Sequence, residues 1–260
     1  MAEPQQPPYP RFPVARDLAW RDLRAALAAG ARDFLAHPLY GLFFAAIYVA
    51  GGLGAAYALM IKGASAWLIP LAAGFPLIAP FTAVGLYEVS RRREGGLPLS
   101  WGKVLGALRG HGDDQILLMG GFIFVGFTFW IILAHGIFAI FAAQLGPGGE
   151  SLAMLRTPTG LAMLAVGSAV GAMVSFVFYA ITVISLPMLV DRDVDFLTAI
   201  ITSLRAIQAN RAALLGWAVF IALVLFIAML PAFLGLLVAL PVLGHATWHL
   251  YRRTVSETPA

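Results

Sequence analysis

His245 and His249 stand four positions apart near the C-terminal end of the chain, a spacing that puts both imidazoles on one face of a helix. Such a pair can bind a metal, or haem if another helix contributes a ligand. Hydrogen bonding to a neighbouring helix is the expected role instead, because Trp248 and Tyr251 mark this stretch as an interfacial aromatic belt. Glu88 is a second group of interest. The alignment of span endings described below sets it opposite His249, so an ionised Glu88 paired to His245 or His249 is the expected contact. His135 lies inside a long apolar run, and an ionisable group within a membrane is a functional candidate by default. A lone neutral imidazole bonded to a carbonyl is the simpler account of it.

Asp191, Arg192, Asp193 and Asp195 form a carboxylate-rich stretch without the spacing of a calcium loop. Helix capping and local salt bridges are its expected work. No P-loop, nucleophile elbow, HExxH motif or dinucleotide fingerprint occurs. The chain has no cysteine, which rules out disulfides, iron–sulfur clusters and thiolate ligation. No cofactor is expected.

The elements that position these residues are membrane spans. Of 260 residues, 60% are hydrophobic and only 12% charged, against about 25% charged in a soluble domain. A span needs about 20 apolar residues, and six stretches qualify: residues 39–61, 67–89, 116–142, 161–190, 212–230 and 232–251. The last two meet so closely around Pro231 that they must form an antiparallel hairpin. The expected fold is therefore all-α, a polytopic bundle of six transmembrane helices. Residues 1–15, with five prolines, read as a disordered tail, residues 16–253 as one membrane domain, and residues 254–260 as a short second tail. No cleavable signal peptide is visible, so the first span should remain as an anchor.

Residues 16–36 are amphipathic and too charged to span, which suits a helix lying on an anionic leaflet. Residues 100–109 and 196–205 have the same character, with Ser100 and Asp195 as N-caps, and each leads into a span. Of the 17 Lys and Arg residues, all but Lys62 and Arg156 fall on one side of the predicted spans. By the positive-inside rule that side is cytoplasmic and holds both termini. The basic balance is thus a topology signal and not a nucleic-acid footprint.

Three units emerge, near residues 16–93, 98–192 and 195–253, each a surface helix followed by two spans. Pro80 precedes Arg91, and Pro241 precedes Arg252, by the same interval, which aligns Glu88 with His249. Pro187 holds the equivalent place in the middle unit. Prolines 76, 80, 187 and 241 therefore read as bends shared by the span endings. Gly167, Gly171 and Ser175 form a small-xxx-small series suited to close helix packing, within the protein or in a homodimer.

At LAAGFPLIAPFTAVGLYEVSRRRE, SLPMLVDRDVDFLTAIITSLRAIQAN and LPVLGHATWHLYRR the chain resembles a bacterial family of predicted integral membrane proteins, domain of unknown function 2189, from about residue 20 to 253. The resemblance implies a polytopic protein of the bacterial inner membrane and carries over no activity. The label of haem–copper oxidase subunit given to some members does not suit a chain with five histidines, of which only His135 is deep in a span. The functional expectation is a non-enzymatic accessory or organising subunit that contacts anionic lipid, a larger membrane complex or a second copy. A small-solute channel or transporter is the alternative, and a membrane-embedded enzyme comes third.

Overall fold

A computed structural model describes residues 12–72, 74, 79, 83–107, 114–145 and 151–255. The described elements are helical, in the order α1 Trp20–Ala36, α2 Pro38–Ile61, α3 Val84–Glu94, α4 Trp101–Gly106, α5 Gln115–Leu145, α6 Pro158–Thr182, α7 Ser185–Asp191, α8 Phe196–Ala209, α9 Arg211–Met229 and α10 Leu236–Thr254. Short 3-10 turns cover Ser65–Trp67 and Leu152–Arg156. Local chemistry sets several boundaries. Asp22 Oδ2 accepts from the Ala19 amide at the start of α1, and Pro38 and Pro158 sit in the first turns of α2 and α6, where a missing amide proton costs nothing. Asp195 Oδ1 caps α8 through the Thr198 amide at 2.8 Å, as the sequence leads one to expect. Ser100 occupies the N-cap position of α4, but its hydroxyl makes no capping bond.

Among the described residues four stretches are long and apolar enough to cross a membrane: Pro38–Ile61, Gln115–Phe141, Pro158–Asp191 and Arg211–Met229. They match the first, third, fourth and fifth expected spans to within a few residues. Of the expected second span, the end is present as α3, while Pro76 and Pro80 lie outside the described residues. The expected sixth span is α10, which is not among the four. Its last three turns carry His245, His249, Arg252 and Arg253, too many polar groups for a membrane-crossing window.

Those last turns of α10 are the centre of the molecule at the end where Val14 pairs with Val255. Trp248 is 1% and Tyr251 0% exposed, so the aromatic pair expected to mark an interfacial belt is buried by protein. α1 runs along α10, and the two approach so closely that a Cβ on Gly30 would meet the backbone nitrogen of Ala246 and come 2.7 Å from the Val242 carbonyl oxygen. α2 follows the other half of α10, with Gly41 against Pro241 and Gly52 against Phe233. Leu23, Ala26 and Phe34 of α1 are buried while Arg21, Arg24 and Arg32 are exposed. The apolar face of α1 thus meets α10, where a leaflet-bound helix would turn it to lipid. Buried Pro187 sits in α7, whose residues 185–190 are all buried, as are residues 84–90 of α3. Residues 12–15, which read as part of a disordered tail, are held by an antiparallel bridge between Val14 and Val255 and by the Ala15 amide on the Thr254 carbonyl at 2.8 Å.

Between α9 and α10 the chain reverses through Ala232 and Phe233, both with positive φ. Non-glycine residues adopt that conformation only at a cost, here held by packing of the Phe233 ring on Gly52. Gly171 of α6 packs on Trp130 of α5, which places part of the small-residue series inside the protein.

Candidate functional site

The apolar face of α1 carries one carboxylate. Ala26, Gly30 and Asp33 recur at helical spacing, and Asp33 is 6% exposed against α3 and α10. A buried carboxylate must be compensated on each oxygen. Oδ2 accepts from the Ser90 hydroxyl at 2.6 Å and from His249 Nε2 at 2.8 Å, and Oδ1 accepts from the Arg93 guanidinium. Ser90 and Arg93 lie on one face of α3, and His249 comes from α10, so three separate helices meet on one side chain. Burial alone would raise the Asp33 pKa. The hydrogen bonds from His249 and Ser90, with the charge of His249, more than offset it and hold the carboxyl below its ordinary range.

His245, one turn before His249, lies on the same network. Its Nδ1 is 2.7 Å from Ser90 Oγ. Because the Ser90 proton is directed to Asp33, His245 Nδ1 must be the donor, which assigns the Nδ1–H tautomer. His245 is 0% exposed, and its Nε2 has no hydrogen-bond partner among the described residues.

Serine, histidine and aspartate in contact invite comparison with a nucleophilic triad, but the bonds run in another order. In that mechanism the imidazole lies between the other two and takes the serine proton. Here the serine lies between them, its proton is given to Asp33, and its hydroxyl is buried in a helix. The arrangement fixes helices together and does not activate an oxygen. It is no better suited to a metal. The two imidazoles face Ser90 and Asp33 respectively, and no group of three His, Cys, Asp or Glu side chains able to hold a metal ion occurs among the described residues.

The expected pairing of Glu88 with His245 or His249 is not what forms. Glu88 accepts from Arg91 Nε at 2.7 Å and from Arg92 Nε at 2.6 Å, partners three and four residues on along its own helix, and it holds the Arg91 guanidinium pKa above its usual value. Asp33 takes the histidine contact instead. The overlay of span endings misses this because a sequence alignment places Glu88 and His249 at equivalent positions, not at facing ones. A carboxylate on the apolar face of α1 was the available signal for Asp33.

Further hydrogen bonds and ion pairs from the end of α10 surround the cluster. Trp248 Nε1 and Arg252 Nε donate to Glu94 at 2.9 and 3.1 Å. The Tyr251 hydroxyl donates to Asp191 at 2.7 Å and receives from Arg192 Nε at 2.8 Å. Arg253 reaches Asp17 and Asp22. His135 stands apart, in α5, with Nδ1 2.9 Å from the carbonyl of Ile131 and its ring 4.2 Å from that of Trp67. That is the carbonyl-bonded imidazole of the simpler account.

Neither the curated proteins nor the solved structures include a match to the chain. A family model does match, over residues 68–191, from the start of the expected second span to the end of α7. This is a shorter stretch than the sequence resemblance implies. Glu88, Ser90, Arg93 and Asp191 fall inside it, while Asp33, His245 and His249 fall outside. Over residues 68–191 the chain is similar to the predicted integral membrane proteins of the family DUF2189.

Proposed function

We propose that the protein is a non-enzymatic organising subunit of a bacterial inner membrane, crossing it six times with both termini in the cytoplasm. The observation that carries this reading is the use made of its ionisable side chains. Asp33, Glu94, Asp191, His249, Arg252 and Arg253 are engaged in fastening α1, α3, α7 and α10 to one another. Meanwhile only 28%, 22% and 28% of the most apolar windows of α2, α5 and α9 are buried within the chain. A rigid cytoplasmic base beneath broad apolar faces suits a protein whose partners are lipids and other membrane proteins.

Several features support the finer points. The pairing of Val14 with Val255 brings both described ends together, in keeping with an even number of crossings. The sequence of a short helix, a long helix and a returning helix occurs at α1–α2–α3, α4–α5–α6/α7 and α8–α9–α10, in keeping with a threefold repeat of residues 16–93, 98–192 and 195–253. Exposed Arg16, Arg21, Arg24, Arg32, Lys103 and Arg211 provide charges for an anionic leaflet, each worth about 1 kcal/mol near its surface. Affinity purification from native membranes in a mild detergent, followed by mass spectrometry, tests the proposal. Stoichiometric recovery of a membrane partner or of a second copy supports it. A lone monomer that conducts or exchanges a solute after reconstitution would favour the transporter reading instead.

A further inference from the structure

The end of the bundle opposite the termini holds a cleft of about 80 Å³ between residues 66–70, α5, the turn Leu152–Arg156 and α6. Trp67, Trp130, Phe138, Met154, Met163 and Gly167 are among its walls. Since roughly 10–15 Å³ of such space admits one water, the cleft takes a row of about six water-sized units, and walls this apolar offer water too few partners. The space is open to a side chain as well, because a Cβ on Gly167 would meet nothing within 4 Å.

Depth identifies what can enter. Met163 and Ser168 follow the start of α6 at Pro158 by intervals that place the cleft about 8–15 Å below that helix end, within the hydrocarbon of one leaflet. Lys62 and Arg156 lie four residues before Ala66 and two residues after Met154 of the cleft wall. Both are exposed, and neither has a salt-bridge partner among the described residues. Arg156 ends the same turn that supplies Met154 to the cleft wall, and the Leu152 amide donates to Ser65 Oγ at 3.1 Å, tying that turn to the segment after Lys62.

We infer that this cleft binds one acyl chain of an anionic phospholipid from the leaflet opposite the termini, with Arg156 receiving the phosphate. The apolar slot takes the chain, and the planar guanidinium offers the phosphate paired donors.

The test uses the purified full chain in phosphatidylcholine nanodiscs containing a small fraction of phosphatidylglycerol with a diazirine on its acyl chain. After illumination, adducts mapped by mass spectrometry should concentrate on Trp67, Met154 and Met163 over the lipid-facing residues of α9 by about tenfold. Gly167→Leu, or Leu164→Trp should the first fail to fold, should fill the slot and remove that excess while leaving the α9 adducts unchanged. Arg156→Gln should abolish the preference for phosphatidylglycerol over a phosphatidylcholine probe with the same chain. Even labelling of the cleft and α9 in the unaltered protein would overturn the inference, whether or not either variant folds. So would cleft labelling undiminished in a folded filling variant. Labelling displaced by an isoprenoid quinone and indifferent to Arg156 would assign the cleft to another ligand and equally overturn it.

Discussion

His249 Nε2 lies 2.8 Å from Asp33 Oδ2, joining residues near opposite ends of the chain. The contact carries α10 onto α1, and through the same carboxylate it brings in Ser90 and Arg93 of α3. A chain of this kind needs such a device. In hydrocarbon, helices gain little from burying apolar faces against each other, so the polar bonds at the membrane edge decide which helices stay together.

Gly30 should be among the least tolerant glycines of the described residues. A Cβ there would strike the backbone of Val242 and Ala246, and backbone cannot swing aside as a side chain can. Gly30→Val should separate α1 from α10 and cost more than the 1–3 kcal/mol usual for overpacking. Gly51→Ala, where a Cβ would meet nothing within 4 Å, should be neutral or slightly stabilising through helix propensity. Thermal aggregation midpoints of the two variants in one detergent check this. Equal midpoints would remove the close α1–α10 approach.

Stability should fall in acid through Asp33. Its carboxyl is held below the ordinary value of 3.8 in the folded protein, so its contribution is complete above that value and is lost as the pH drops through the lower, folded pKa. Unfolding midpoints measured from pH 7 to pH 3 should therefore show no Asp33-dependent change until below about pH 4. Asp33→Asn should be destabilised at neutral pH and lose the acid limb. An acid limb of full size in Asp33→Asn would assign it to another carboxylate.

Glu88 and His249 should behave independently. They share no hydrogen bond, Glu88 being held by Arg91 and Arg92. Effects of Glu88→Gln and His249→Gln on unfolding free energy should add to within about 0.5 kcal/mol. A coupling well beyond that would restore the pairing expected from the aligned span endings.

The absence of native cysteine makes the topology open to direct labelling. In intact cells, an impermeant thiol reagent should modify Lys62→Cys and Arg156→Cys but reach Arg24→Cys and Ser100→Cys only after lysis. Labelling of Lys62→Cys and Arg156→Cys on different sides would contradict six crossings.

The sequence shows four apolar spans plainly, because a run of about 20 apolar residues has few other uses. It shows the hairpin at Pro231 and the cap at Asp195 for similarly local reasons. What it hides are contacts between distant segments. Trp248 and Tyr251 look like membrane-edge residues by type, and only the packing of α1, α3 and α7 around them turns them into core. Glu88 looks like the partner of His249 because alignment reports equivalence, whereas hydrogen bonding depends on which helix faces which. Asp33 was legible in part, as a carboxylate on the apolar stripe of α1, although nothing local names the three residues that satisfy it.

A double-mutant cycle on Asp33 and His249 tests most directly whether this cluster fastens the bundle. Unfolding free energies of the parent, Asp33→Asn, His249→Gln and the double variant would be measured by detergent titration at pH 6. The expected result is a loss of about 2–4 kcal/mol for Asp33→Asn, a smaller loss for His249→Gln, and a coupling of at least about 1 kcal/mol between them. Additive losses, or an Asp33→Asn variant as stable as the parent, would contradict the account.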